Sequence, residues 1–457
     1  MTNRLDRDFH LPGLLRFALP TIIMMLVVSL YTIVDGVLIA RLVGENALAA
    51  ANVAYPAISV TLAMGIMLGT GGSAVVAHKM GAGYLEEARR DFGFLALVAV
   101  CIGLAVCLAG ALFAGPLARL LGASDLLLDD TVTYLRVQLC FAPMAMLQLL
   151  FESFFVTAGR PGLGLGLATA AGVTNAVLDY LYMGPMQMGI LGAALGTVTG
   201  YSIPAVVGVL FFLLRRQGLR FGRPHGDLRM LGRACFNGAS EMVTNLSMAV
   251  TTFLFNAIMM AYLGEAGVSA ITIVLYAQFL LVALYMGFSM GVAPVFSFNR
   301  GAGRYDRMRR IFGYCLRFIL VSSVAILAVA LALSGVVVGI FSTPGSQVYA
   351  IALDGFRRFA PAFLFAGVNI FSSALFTALS DGRTSAIISF ARTFGFLLLG
   401  LLLLPRLLEV DGVWLAVPLA ELLSCLLSVW FFRRKRADFG FGGGDLPRHG
   451  GRGGGRT

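Results

Sequence analysis

Long apolar runs separated by short polar segments recur along the whole chain of 457 residues. A membrane-spanning helix needs about 20 consecutive apolar residues, and several of these runs are long enough for two. Turn-forming residues divide the longest runs, near Gly184 and Pro185 and again near Pro344 and Gly345. The pattern predicts twelve membrane-spanning helices, at residues 14–42, 52–77, 92–115, 133–158, 161–183, 189–214, 232–263, 270–298, 311–341, 348–378, 384–405 and 411–433.

The composition supports this interpretation and excludes other classes of protein. Hydrophobic residues make up 58% of the chain and charged residues 12%, whereas about 25% of a typical soluble domain is charged. Disordered, collagen-like and disulfide-rich chains have different compositions. The six cysteines lie in or beside apolar runs without metal-ligand spacing, so we expect no structural metal, disulfide framework or cofactor. An all-α polytopic membrane protein is therefore predicted.

The positive charge is concentrated on one side of the predicted membrane. The chain has 34 Lys and Arg residues against 23 Asp and Glu, a net charge of +11. With both termini cytoplasmic, Arg392 is assigned to the cytoplasmic loop between spans ten and eleven. Only six basic residues then fall outside, namely Arg41, Arg119, Arg136, Arg357, Arg358 and Arg406. The positive-inside rule predicts this orientation in a bacterial inner membrane, so the charge does not call for a nucleic-acid partner.

The chain also repeats itself at an offset of about 220 residues. Gly81-Ala82-Gly83 matches Gly301-Ala302-Gly303, and Arg89-Arg90 matches Arg309-Arg310. Six spans are thus followed by six related spans in the same orientation, which is a parallel repeat of the kind found in transporters. The predicted organisation is an N-terminal lobe at 1–218, a linker at 219–231, a C-terminal lobe at 232–436 and a disordered Gly/Arg-rich tail at 437–457.

Carboxylates inside the predicted spans are the main candidates for function, because each costs about 2.5–3.5 kcal/mol to insert. Asp35 and Asp179 lie near the outer ends of spans one and five, Asn175 precedes Asp179 by one helical turn, and Thr197 lies at similar depth in span six. Burial and like charge would favour a protonated carboxyl there. These four residues predict a proton or cation site, with a structural cluster of interhelical hydrogen bonds as the alternative.

Four further residues are candidates for substrate binding or gating. Glu152 and Glu241 lie about two helical turns from the cytoplasmic ends of their spans, where they could attract a cationic substrate or extend to the interface. Glu421 lies near the middle of span twelve without an evident partner. Pro20 removes a backbone hydrogen bond from span one and is expected to kink it.

In the order and spacing of these motifs, residues 14–433 resemble the multidrug and toxic compound extrusion (MATE) family. The matching motifs are Pro20 with Asp35-Gly36, Gly81-Ala82-Gly83, Gly301-Ala302-Gly303, Ala158-Gly159-Arg160-Pro161, Asn175 with Asp179, and Thr197. The resemblance implies that Asp35, Asn175, Asp179 and Thr197 bind the coupling ion, H⁺ or Na⁺. It also implies a V-shaped pair of six-helix bundles that exports organic cations, drugs or other amphipathic compounds, here expected to act as a monomer.

The chain departs from one branch of the family and leaves other functions to be compared. NorM-like members carry carboxylates in the middle of spans seven and ten, whereas Glu241 lies near the start of its span and span ten offers Asn369. The chain more closely resembles the DinF/MepA-like branch, so the resemblance does not imply a cation site in its C-terminal lobe. A major-facilitator transporter and a lipid-linked oligosaccharide flippase are the alternative transporters. An enzyme is not expected, since no catalytic His, Cys or Ser constellation lies within the spans.

Overall fold

The computed structural model describes residues 4–436 and residue 439, so the predicted tail lies outside the described residues except for Phe439. The described residues form helices and turns, without strands. The helices are α1 (Leu11–Leu42), α2 (Glu45–Gly81), α3 (Leu85–Leu120), α4 (Leu128–Cys140), α5 (Ala142–Thr157), α6 (Pro161–Met183), α7 (Ile190–Leu214), α8 (Leu228–Gly301), α9 (Tyr305–Ala332), α10 (Ser334–Phe341), α11 (Gln347–Phe359), α12 (Ala362–Ala378), α13 (Gly382–Phe390) and α14 (Leu398–Lys435), with a π-helical segment at Ala391–Leu397 between the last two.

The twelve predicted spans are present in these helices. Within the described residues, eight continuous helices are long and apolar enough to cross a membrane, and two bent helix pairs raise the number to ten. Two of the eight are joined spans, because the backbone leaves the helical region at Gly264 (φ 62°, ψ −150°) and at Glu409 (φ 50°, ψ −129°). Dividing the helices at these residues gives twelve spans that overlap the predicted ones, although α2 and α3 begin about two helical turns earlier than predicted.

The internal repeat is visible in the positions of the bends. The pair α4 and α5 bends by 55° at residue 141, and the pair α11 and α12 bends by the same angle at residues 360–361. Proline follows or forms each bend, as Pro143 in the first turn of α5 and as Pro361 before α12. Because proline lacks the N–H that a continuous helix needs, each helix stops and restarts there. The two lobes therefore share one architecture.

The two lobes share a hydrophobic core at one end and have separate cores at the other. The shared core includes Leu68 and Phe151 from the first lobe and Phe296 and Phe371 from the second. Toward the opposite end, one core lies among α1–α4, α6 and α7, and another lies among α8–α12 and α14. We call the end with the shared core the closed end and the other the open end. This is a V-shaped arrangement of two bundles.

Glycines allow the lobes to touch through bare backbone at the closed end. A Cβ atom at Gly71 would clash with the Ala234 carbonyl oxygen across the lobe boundary, and one at Gly81 would clash with the carbonyl of Phe298. The pseudo-equivalent Gly301 stands against the carbonyl of His78 in the same way. The repeated Gly-Ala-Gly motifs of the sequence thus lie in the contact between lobes.

Candidate functional site

The predicted ion-site residues lie together in the first lobe. The carboxyl groups of Asp35 on α1 and Asp179 on α6 are neighbours that interact electrostatically. One helical turn before Asp179, the Asn175 side chain donates from Nδ2 to Asp179 Oδ2 at 2.8 Å. Asp179 is fully buried and Asn175 almost so. The spacing of four residues has therefore placed the amide and the carboxylate on one helix face, as expected.

Close packing of α6 and α7 gives the Asp179 carboxylate its position. A Cβ atom at Gly196 on α7 would overlap Asp179 Oδ1, so the missing side chain supplies the space that the carboxylate fills. The next residue, Thr197, is buried and donates its hydroxyl hydrogen to the Ala193 carbonyl at 3.0 Å. Gly196 therefore determines how closely Asp179 approaches α7.

Two tyrosines that the sequence pattern did not single out also lie near the carboxylate pair. Tyr134 of α4 is buried near both aspartates, and Gln138 and Thr197 are its polar neighbours. Tyr31 of α1 precedes Asp35 by one helical turn and also faces it. The four-residue spacing between Tyr31 and Asp35 could have identified Tyr31 as a neighbour of the site from the sequence. A tyrosine or glutamine within an apolar run is only a weak indication of a functional site.

Both aspartates carry an oxygen atom that no protein group satisfies. Asp35 Oδ1 and Asp179 Oδ1 are buried and accept no hydrogen bond from the residues that the structure describes. Two neighbouring carboxylates in an apolar region repel each other unless a proton or a cation neutralises them. Oxygen atoms of carboxylate, amide and hydroxyl groups are the donors that hard cations prefer. The residues present therefore fit either of the expected coupling ions.

Glu152 lies inside the first lobe, nearer its closed end. Its side chain is buried, and its Oε1 accepts a hydrogen bond from Gln148 Nε2 at 3.1 Å. The side chain does not extend to the membrane interface, which the sequence had left open. Tyr31 lies near both Glu152 and Asp35.

Glu421 does have partners, and the expectation that it lacks one is wrong. Its Oε1 accepts hydrogen bonds from Arg392 Nε at 2.9 Å and Nη2 at 2.6 Å, and its Oε2 accepts one from Asn369 Nδ2 at 2.6 Å. The Ser428 hydroxyl donates to the Asn369 Oδ1 at 3.4 Å. In the second lobe the buried carboxylate is therefore neutralised by an arginine.

Arg392 lies in a helix of the second lobe, so its assignment to a cytoplasmic loop is also wrong. It belongs to the π-helical segment Ala391–Leu397, which joins α13 to α14. Such wide turns are rare and often occur at functional sites. Glu241 on α8 is half-buried and faces the Arg392 guanidinium.

The kink expected at Pro20 does not interrupt α1, which runs from Leu11 to Leu42 with Pro20 inside it. Pro20 lies where α1 meets the second lobe. A Cβ atom at Gly287 on α8 would come within 2.5 Å of the Thr21 carbonyl oxygen, and Gly291 stands against Ala18. The residues on either side of the proline thus form part of the contact between lobes.

Comparisons with known proteins agree with this architecture. The MatE family model matches residues 20–181 and 242–402, one match in each lobe. The multidrug export protein MepA of Staphylococcus haemolyticus is 24% identical over 426 residues, which cover 92% of each chain. MepA of Staphylococcus aureus is 22% identical over 427 residues, 91% of this chain and 92% of that protein.

Solved structures show the same fold at low sequence identity. An outward-facing multidrug resistance MATE family transporter of the MOP superfamily superposes with a TM-score of 0.87, at 18% identity over 94% of this chain and 96% of that one. A MOP superfamily transporter from Pyrococcus furiosus, described as having a binding pocket of reverse polarity, gives a TM-score of 0.86 at 19% identity, over 93% and 96% of the chains. Since the family model covers most of both lobes, the chain belongs to the MatE family of efflux transporters.

Proposed function

We propose that this protein is a secondary antiporter that couples the inward movement of H⁺ or Na⁺ to the export of organic cations, drugs or other amphipathic compounds. The observation that carries the proposal is that Asp35 and Asp179 are neighbours, and that each has a buried carboxylate oxygen without a hydrogen-bond partner among the described residues. The relatives named as multidrug export proteins support the substrate class. The protein would act as a monomer in a bacterial plasma membrane, with both termini cytoplasmic.

The coupling follows from where the charges lie. An ion bound between Asp35 and Asp179 neutralises the two carboxylates. Without the ion, negative charge remains in an apolar region, and a different arrangement of the surrounding helices becomes favoured. Both aspartates are on helices that shape the first lobe, and α1 also packs on α8 of the second lobe through Thr21. A change at the ion site can therefore alter how the lobes meet.

The V shape supplies the route for the substrate. The lobes meet at the closed end and separate toward the open end, so a compound between them is exposed to one side at a time. Rocking of the two lobes about this contact would expose it to the other side. In this scheme the half-buried Glu241 is available to a cationic group, while Arg392 neutralises Glu421.

The proposal is tested by flux in proteoliposomes. Purified protein is reconstituted with a fluorescent organic cation, and a Na⁺ gradient and a pH gradient are imposed separately. We expect one of the two gradients to drive accumulation against the substrate gradient, with vesicles that lack protein as the control. Substrate movement that equilibrates at the same rate whether or not either gradient is imposed would contradict coupled antiport.

A methyl group at Gly196 should displace the Asp179 carboxylate without removing its charge. We expect Gly196→Ala to slow coupled flux about tenfold, because the added Cβ overlaps Asp179 Oδ1 and overpacking of this kind costs about 1–3 kcal/mol. Gly166→Ala on α6 is the matched control, since nothing lies within 4 Å of its Cβ position. Equal rates for the two variants, at equal protein levels in the membrane, would show that the position of Asp179 against α7 is unimportant.

A further inference from the structure

A cavity of about 370 Å³ opens at the closed end of the first lobe, between the start of α3 and the segment that links α7 to α8. Its lining contains the arginines Arg89, Arg90, Arg220 and Arg223 and one carboxylate, Glu86. The guanidinium of Arg89 donates to that carboxylate, and the lining has three further arginines against no further carboxylate, so its net charge is positive. Nothing in the proposed transport mechanism uses this cavity.

The linker backbone is fixed where it forms the wall of the cavity. The ring of Phe221 stacks on Phe92 of α3, with centroids 4.8 Å apart and planes 10° from parallel. The Gly222 N–H donates to the Arg89 carbonyl at 3.0 Å, and Arg89 Nε donates to the Gly218 carbonyl at 2.9 Å. Arg220 and Arg223 lie on either side of this anchored point, so the fold places them beside Arg90. Their side chains are exposed.

A pair of glycines makes the close approach possible. A Cβ atom at Gly93 on α3 would clash with the Gly222 carbonyl oxygen, and one at Gly222 would lie 2.7 Å from the carbonyl carbon of Arg89. Substitution of Gly222 by alanine therefore moves the linker away from α3 while leaving every arginine in the chain. The shape and the charge of the cavity can thus be changed separately.

In the second lobe, the arginines at the position equivalent to the cavity form ion pairs with carboxylates. Arg310, which matches Arg90 in the repeat, forms an ion pair with Asp8 at 3.3 Å. The neighbouring Arg304 and Arg307 form ion pairs with Asp6. Carboxylates from the start of the chain therefore neutralise this region of the second lobe. In the first lobe the linker brings further arginines to the equivalent region.

An apolar surface runs along α3 directly in line with the cavity. Leu97, Leu104 and Leu108 are about half exposed or more, and they follow Arg90 by 7, 14 and 18 residues, which places them on the same helix face. From Arg90 to Leu104 the helix rises about 21 Å, comparable to the length of an acyl chain. A basic cavity above an apolar stripe is complementary to a phosphate group that carries hydrocarbon chains.

We propose that this cavity binds the phosphate-bearing headgroup of an anionic phospholipid, whose acyl chains lie along α3. Arginine guanidinium groups bind phosphate oxygens in a bidentate manner, and anionic lipids attract basic segments near the membrane surface. Two of the arginines belong to the only covalent connection between the lobes. A bound headgroup therefore fastens that connection to the first lobe and limits how the linker follows the lobes as they move.

Lipid titration of the purified full-length protein tests this assignment. Short-chain phosphatidylglycerol and phosphatidylcholine are added to the detergent-solubilised protein, and binding is followed by native mass spectrometry and by the shift in unfolding temperature. The wild type should bind phosphatidylglycerol more tightly than phosphatidylcholine. Arg220→Gln combined with Arg223→Gln should weaken phosphatidylglycerol binding about 30-fold, from about 1 kcal/mol per arginine near an anionic lipid.

The matched control removes the same charge from the same end of the protein. Arg229→Gln with Arg233→Gln lies at the exposed start of α8, outside the cavity lining, and should change the affinity by less than about threefold. Gly222→Ala should weaken binding although it removes no charge. Equal losses in the two arginine pairs would overturn the site, as would inorganic phosphate that binds as tightly as the lipid and competes with it, because the ligand would then be a free anion.

Discussion

Replacing Asp179 with asparagine is expected to abolish ion-coupled export while leaving the amount of protein in the membrane unchanged. Asparagine has nearly the same shape as aspartate, but it carries no charge and cannot exchange a proton. Asp35→Asn should have the same effect, because the two carboxyl groups face each other and form one site. We expect coupled flux to fall about 100-fold or more, at the upper end of ordinary coupling between sites.

The same variants separate coupling from binding. If substrate and ion displace each other, adding substrate to the detergent-solubilised wild type should release the bound ion, measurable as a pH change for H⁺ or by a Na⁺ electrode. Linkage between two sites is reciprocal, so an ion that displaces the substrate is itself displaced by it. Asp179→Asn and Asp35→Asn should release no ion, because the site that holds it is lost. Both variants should still bind the substrate with a measurable affinity. Export by both at the wild-type rate would contradict the assignment of the ion site.

An exposed carboxylate on the surface of the first lobe provides the control for these two substitutions. Asp125 lies in the exposed turn between α3 and α4, where its side chain is 98% accessible and only loosely paired with Arg119 at 3.9 Å. Asp125→Asn removes one negative charge from the protein without touching the buried pair. Its flux should stay close to that of the wild type, so an equal loss in Asp125→Asn would point to a general charge effect.

The second large effect is expected on stability, from Arg392 in the other lobe. Arg392→Gln leaves Glu421 buried without its cation, and breaking a buried pair in this way costs about 3–5 kcal/mol. Asn369 still donates to Glu421 but carries no charge. We expect a large fall in the free energy of unfolding, measured by denaturant titration in detergent and visible as a lower unfolding temperature.

Removing both charges should restore most of the lost stability. In Arg392→Gln with Glu421→Gln no unpaired charge is left, so the double variant should unfold at a higher temperature than Arg392→Gln alone. Arg358→Gln is the control, because its ion pairs with Asp354 and Asp411 are largely exposed and such pairs are worth about 0–1 kcal/mol. A single Arg392→Gln variant as stable as the control would show that Glu421 is not held by the arginine.

The spans and the first-lobe site could be predicted because their signals are local. Apolar runs and turn residues determine where helices begin and end, and a four-residue spacing places Asn175 above Asp179 whatever the rest of the fold does. The depth of Asp35 and Thr197 could be counted from the ends of their spans. Such arguments need only one helix at a time and a membrane of known thickness.

The second-lobe network could not be predicted in this way, because it depends on contacts between helices. Arg392 and Glu421 are 29 residues apart, on spans separated by the break at Glu409, and their pairing requires the rotation of both helices to be known. Arg392 lies close to the polar turn after α12, so counting basic residues assigned it to the loop. The contribution of Tyr134 was missed for a similar reason, since its two aspartate neighbours come from α1 and α6.

The backbone contacts between Gly71 and Ala234 and between Gly81 and Phe298 also affect how the closed end would open. Surfaces that meet through dispersion alone lose a quarter to a half of the attraction when they separate by about 0.5–1 Å. A long side chain could extend and keep contact during such a movement, but a glycine has none. The closed end should therefore separate abruptly, with few stable half-open positions, which would limit leakage of ions between the lobes during each cycle.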